Sequence, residues 1–100
     1  MQYVKRNKGY VVIFVYKNPD MKNTFTLTSR KLKSFNAISA KRQFTKEFRE
    51  RYKVVPRMVT ILPGTATVDE FTKIFIQTRE LFIDSHKSEI TLREEFLTKS

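Results

Sequence analysis

The stretch Tyr10–Tyr16, YVVIFVY, decides the fold. Every position is β-branched or aromatic, and the run is too short for a helix of ordinary length, so it reads as a strand with no polar face. A period of two sorts it into an aliphatic side, Val11, Ile13 and Val15, and a more aromatic side, Tyr10, Val12, Phe14 and Tyr16. Such a strand belongs in the middle of a sheet.

Working outward, Lys17–Asn23, KNPDMKN, places Pro19 and Asp20 in the order favoured in β-turns, and Thr24–Ser29, TFTLTS, alternates. Phe25 and Leu27 fall on one side and Thr24, Thr26 and Thr28 on the other, which predicts a second strand with one wet face. Ser34–Lys53, SFNAISAKRQFTKEFRERYK, has the helical period. Ala37, Ala40, Phe44, Phe48 and Tyr52 make its apolar stripe; Ser34 or Asn36 is its N-cap, and Pro56 bounds its far end. Arg57–Leu62 is a third strand, broken by Pro63-Gly64. Thr67 and Glu70 then form a capping box that opens a second helix, Val68 to about His86, with Val68, Phe71, Ile74, Phe75, Thr78, Leu81 and Phe82 on its stripe. In the tail, Thr91 and Glu94 repeat the capping-box spacing. They suggest a short terminal helix, with a strand over Ile90–Arg93 as the alternative.

The element order is β-β-α-β-α plus a short C-terminal element, an α+β fold with a three-stranded sheet in the order 2-1-3. A right-handed crossover from the second strand through the first helix to the third strand passes over the first strand, which places it centrally. Both helices are expected on the aliphatic side, leaving Tyr10 and Tyr16 on an open face where bases could stack. The ordinary reading of those rings is core.

One hundred residues, 40% of them hydrophobic, make a single α+β domain over 1–100, with a basic arm at 1–8 and an acidic segment at 88–100. The N-terminal residues are polar and basic, and the longest apolar run is far short of the ~20 residues a spanning helix needs, so a soluble, cytoplasmic protein is expected. No cysteine occurs and His86 is the single histidine, which removes thiolate chemistry, disulfides and cysteine-based metal sites. No cofactor is expected. The chain has no phosphate-binding glycine loop and no paired acids of a metal-dependent nuclease, so no enzyme is predicted. Lys31, Arg42 and Tyr52 are the residue types a metal-free RNase would need, provided the fold gathered them.

Charge carries the functional signal. Residues 1–68 hold 15 Lys and Arg against 3 Asp and Glu, whereas 69–100 hold 5 against 7. Arg42, Lys46, Arg49 and Lys53 recur at i, i+4, i+7 and i+11 opposite the apolar stripe, with Glu47 and Glu50 between the two. A solvated helix face is the ordinary reading of such a row. The upstream cations Arg30, Lys31 and Lys33, and Arg6 and Lys8 in the arm, extend it towards a continuous basic surface. A small basic protein binding DNA or RNA through phosphate contacts over Arg30–Lys53 is the expectation. The alternative is a protein-interaction module or inhibitor, of the kind phages and other mobile elements carry, docking on an acidic host protein. Ile76 and Ile83 lie off the apolar stripe of the second helix and need cover, from Ile90, Leu92, Phe96 and Leu97 or from a homodimer partner. A membrane partner is not expected, because the first helix needs its apolar stripe for the core.

Overall fold

Antiparallel pairing of two long strands builds the centre of the sheet. In the computed structural model, which describes residues 8–86 and 90–95, β1 (Lys8–Lys17) pairs with β2 (Thr24–Ser34) without a register break, from Lys8↔Ser34 to Lys17↔Phe25. β3 (Arg57–Pro63) runs antiparallel along the other side of β1, and β4 (Thr91–Glu94) runs parallel to Thr24–Leu27 of β2. The order is β3-β1-β2-β4, so β1 is interior as expected and the sheet has four strands rather than three. Lys8 begins β1, while the rest of the expected basic arm, Arg6 included, lies outside the described residues.

The terminal helix expected at Thr91 is a strand. Its backbone finds partners on β2 instead: Thr91 N–H donates to the Asn23 carbonyl and Glu95 N–H to the Leu27 carbonyl, each at 2.9 Å. Leu92 and Ile90 meanwhile pack against the core. Strand pairing satisfies the Thr91 N–H that the Glu94 side chain of a capping box would have served, and adds apolar burial.

This fourth strand also corrects the placement of the helices. α1 (Ala37–Tyr52) packs with Val12, Phe14, Tyr16, Leu32, Val59 and Ile61, whereas α2 (Val68–His86) packs with Ile13, Val15, Phe25, Leu27 and Leu62. They cover opposite faces. The chain crosses from β2 over β1 to β3, then back over β1 and β2 to β4, and two crossovers of one hand that travel in opposite directions lie on opposite sides of the sheet. Phe14 is fully buried against Phe44 and Phe48, with ring centroids 4.6 and 5.1 Å away. Tyr16 is half-buried, 5.3 Å from Phe48, and Tyr10 is half-buried as well. The open aromatic face therefore does not exist, and neither does the wet face of β2: Thr24 and Thr26 lie on the α1 side and are buried.

Local signals fix the helix ends. Asn36 rather than Ser34 caps α1, its Oδ1 accepting from Ser39 N–H at 2.8 Å, because Ser34 is still in β2. Lys53 stops α1 in the left-handed conformation, φ 62°, three residues ahead of Pro56. The capping box of α2 is reciprocal: Glu70 N–H donates to Thr67 Oγ1 at 3.1 Å, and Thr67 N–H donates to Glu70 Oε1 at 2.7 Å. The bond from the Thr67 backbone, then that from its side chain, holds the Glu70 carboxyl below its usual range. Phe75, Thr78 and Phe82 are the buried stripe of α2, while Val68 and Leu81 are exposed, contrary to their expected place on it.

At the end of the sheet where β1 starts, Gly64 N–H donates to the Gly9 carbonyl at 2.8 Å, and a Cβ on Gly64 would sit 2.8 Å from that same oxygen. Gly9 has open space around its own Cβ position. Gly64→Ala is thus expected to lower stability by roughly 1–3 kcal/mol, and Gly9→Ala to leave it unchanged or slightly raised. Urea midpoints of the two variants check this.

Candidate nucleic-acid interface

The helical period places Phe44 and Phe48 of α1 in the core, and the opposite face carries Arg42, Lys46, Arg49 and Lys53, all exposed. At 1.5 Å per residue the row is about 16 Å long. None of the four has an acid partner; among the described residues the one ion pair is Arg79–Glu94, at 3.4 Å between α2 and β4. Two exposed cations that the sequence pattern did not single out are Lys41, beside Arg42 at the start of the row, and Arg51, which lies on the β2 side of α1, half a turn round from the row. Lys41 lines a shallow groove of about 500 Å³ with Arg42, Thr45, Lys46, Arg49 and Glu50. All of that lining comes from one helix, so the groove is the space between long side chains rather than a packed cavity. Glu50 belongs to it and borders the cation row more closely than the sequence suggested.

The surface expected to be continuous from Arg30 to Lys53 is divided by the strand. β2 continues through Ser34, so its cations obey the period of two. Arg30 and Leu32 face α1, while Lys31, paired with Val11, and Lys33, paired with Gly9, alternate to the α2 side. Arg30 is engaged rather than free. Its Nη2 donates to the Tyr52 hydroxyl at 3.0 Å, and its guanidinium carbon lies 5.0 Å from the Tyr52 ring centre and 5.4 Å from that of Phe48. A second groove, about 160 Å³, runs between α1 and β2 and is bordered by Arg30, Lys31, Glu47, Arg51 and Tyr52. It is smaller than the ~300 Å³ of an ordinary small-molecule site. Lys8 is exposed at the start of β1. Arg42 and Tyr52 are ten residues apart on one helix, about 15 Å, so the RNase trio is not gathered around one bond.

Part of the charge split along the sequence becomes a difference between the two helices. α1 carries five cations and two acids; α2, on the other side, carries four acids and two cations. On the outer surface of α2, Ile76 and Ile83 are 40% and 41% exposed. Ile90 and Leu92, the cover expected for them, pack instead with the core around Phe75 and Phe82, and Phe96 and Leu97 lie outside the described residues. Among the described residues no helix is long and apolar enough to cross a membrane, and no carboxylate or histidine cluster is arranged to hold a metal ion. No protein-family model matches the chain, and neither does a curated protein or a solved structure.

The hydrogen bond from Arg30 to the Tyr52 hydroxyl, aided by the charges of Arg30 and Arg51 and opposed by burial, holds the Tyr52 hydroxyl below its ordinary pKa. A folded-state pKa below the unfolded one means fewer protons bound when folded, so this group adds stability only as pH rises through the tyrosine range, and nothing at neutral pH. In a spectrophotometric titration corrected with Tyr52→Phe, Tyr52 should ionise ahead of an ordinary tyrosine, and Arg30→Gln should return it towards the ordinary range.

Proposed function

We propose that this protein binds nucleic acid by its phosphate backbone, with the exposed face of α1 as the contact surface. The observation that carries this reading is the row Arg42, Lys46, Arg49 and Lys53, free of ion pairs and on the side of the sheet away from the acidic helix. Lys41 widens the row, and Lys8 adds charge at the start of β1. A line of about 16 Å matches roughly five base-pair steps of one strand of a duplex, at about 3.4 Å each. Duplex is favoured over single strand because, of the rings that would stack on unpaired bases, Phe14 is buried under α1, Tyr16 packs against Phe48 and Tyr10 is half-buried. Contacts of this type position a protein without reading sequence.

A second reading follows from Ile76 and Ile83: a protein-interaction module, or a homodimer joined through α2. Sizing chromatography of Ile76→Glu beside the parent separates the two, since a dimer held there should become a monomer with its fold intact.

Replacing Arg42, Lys46, Arg49 and Lys53 together by Gln is expected to weaken duplex binding without unfolding the domain. The slope of log affinity against log salt should become shallower by about 0.7–0.9 for each phosphate that is no longer neutralised. An unchanged slope would leave the row as a solvated helix face. Lys53 gives an independent test. Its left-handed backbone favours glycine, so Lys53→Gly should raise stability by roughly 0.5–1 kcal/mol while weakening binding, as read by urea midpoint and by gel shift respectively.

A further inference from the structure

We infer that the edge of β2 beyond β4, unpaired among the described residues, is a docking strand for an extended acidic peptide, a site separate from the basic face of α1. β2 has eleven residues and β4 covers only Thr24–Leu27, so among the described residues Thr28–Ser34 has no strand neighbour on that side. The uncovered length is about 24 Å at ~3.4 Å per residue. Leu27 turns its carbonyl outward, to Glu95 N–H, and an antiparallel strand alternates the direction of its backbone groups. Ser29, Lys31 and Lys33 therefore present their N–H and C=O groups outward at this edge.

The side chains along the edge specify the occupant by charge. Arg30 borders the edge on the α1 side, with Arg51 beside it across the small groove, while Lys31 and Lys33 lie on the α2 side. A second copy pairing edge to edge would bring these cations against their own kind, which disfavours self-association. An acidic strand meets cations on both of its faces. Ser29, the first residue beyond β4 whose backbone groups point outward, is itself buried, its side chain on the α2 side with Ile13, so recognition at this position runs through its backbone N–H and C=O.

The test uses the full chain, labelled with ¹⁵N, and an acetylated octapeptide of alternating glutamate and valine. Controls replace each valine by proline, which keeps the charge and breaks the backbone pairing, or each glutamate by lysine. The inference expects saturable binding of the Glu-Val peptide and at least tenfold weaker binding of both controls. It also expects slowed exchange of the Ser29, Lys31 and Lys33 amides, and at least a tenfold loss in the double variant Lys31→Glu, Lys33→Glu. The quadruple α1 variant should bind the peptide as the parent does, so this result and the nucleic-acid result stand or fall separately. Equal binding of the proline peptide, shifts confined to α1, or no saturation at millimolar peptide would overturn the assignment. So would a duplex oligonucleotide that protects the same three amides in place of the peptide.

Discussion

A strand with no polar face must be covered on both sides, and this chain meets that requirement with one helix per side. β1 buries Val12, Ile13, Phe14 and Val15 completely, two towards each helix. Exposing either pair would cost several kcal/mol, at about 1.5–3 kcal/mol for each large apolar side chain. The two crossovers provide the cover because they run in opposite directions over the sheet with one hand. β4, though only four residues long, is what makes the second crossover return. Its pairing with β2 carries α2 across β1, so a small edge strand fixes where a nineteen-residue helix lies.

The same arrangement decides how charge is displayed. With three packed layers of roughly 10 Å each, the outer surfaces of α1 and α2 are about 30 Å apart, some three times the ~8–10 Å over which exposed charges act at physiological salt. The acids of α2 are therefore largely screened from a ligand on α1. With five cations against two acids on α1 and two against four on α2, the two helices present opposite net charge, so the field differs between the two sides of the sheet.

Much of this was readable in the residues, and the parts that were not share a cause. YVVIFVY could only be an interior strand, the Phe44–Phe48 spacing oriented α1, and Thr67 with Glu70 located the start of α2, because each signal is local and its period is decisive. β4 was obscured because Thr91-Leu92-Arg93-Glu94 is too short to show a period, and its partner lies more than sixty residues away. From preferring a helix there to the alternative strand over Ile90–Arg93 follow the misplaced helices, the supposed stacking face and the supposed wet face of β2. The cation row on α1 was visible for the same reason the helix was. The separation of Arg30 from Lys31 and Lys33 was not, since it depends on β2 continuing to Ser34, and a basic run after Thr24–Ser29 gives no hint of a strand until its pairing with β1 is known. Lys41 was hidden because it flanks the row instead of repeating its spacing, and Arg51 because its neighbour is β2, which no helical period shows.

Backbone conformation offers a last line of argument. Three residues other than glycine have positive φ among the described residues: Asn23, Met58 and Lys53. Asn23 is ordinary, because asparagine tolerates that region in turns. Met58 has a structural reason. The register against β1 slips by one residue between Ile13↔Thr60 and Val15↔Arg57, and this bulge turns Arg57 and Met58 to the same side, where Met58 joins the core and Arg57 lies 5.4 Å from the Phe25 ring centre. Lys53 has no comparable return. Its N–H closes the helix on the Arg49 carbonyl at 2.9 Å, which glycine would do equally well, and its side chain is exposed and unpaired. Holding lysine there costs about 1 kcal/mol relative to an unstrained residue, with nothing in the fold to offset it. A local rule broken without structural gain points to a demand from outside the fold. At the end of a row of cations, the phosphate contact proposed for α1 is such a demand.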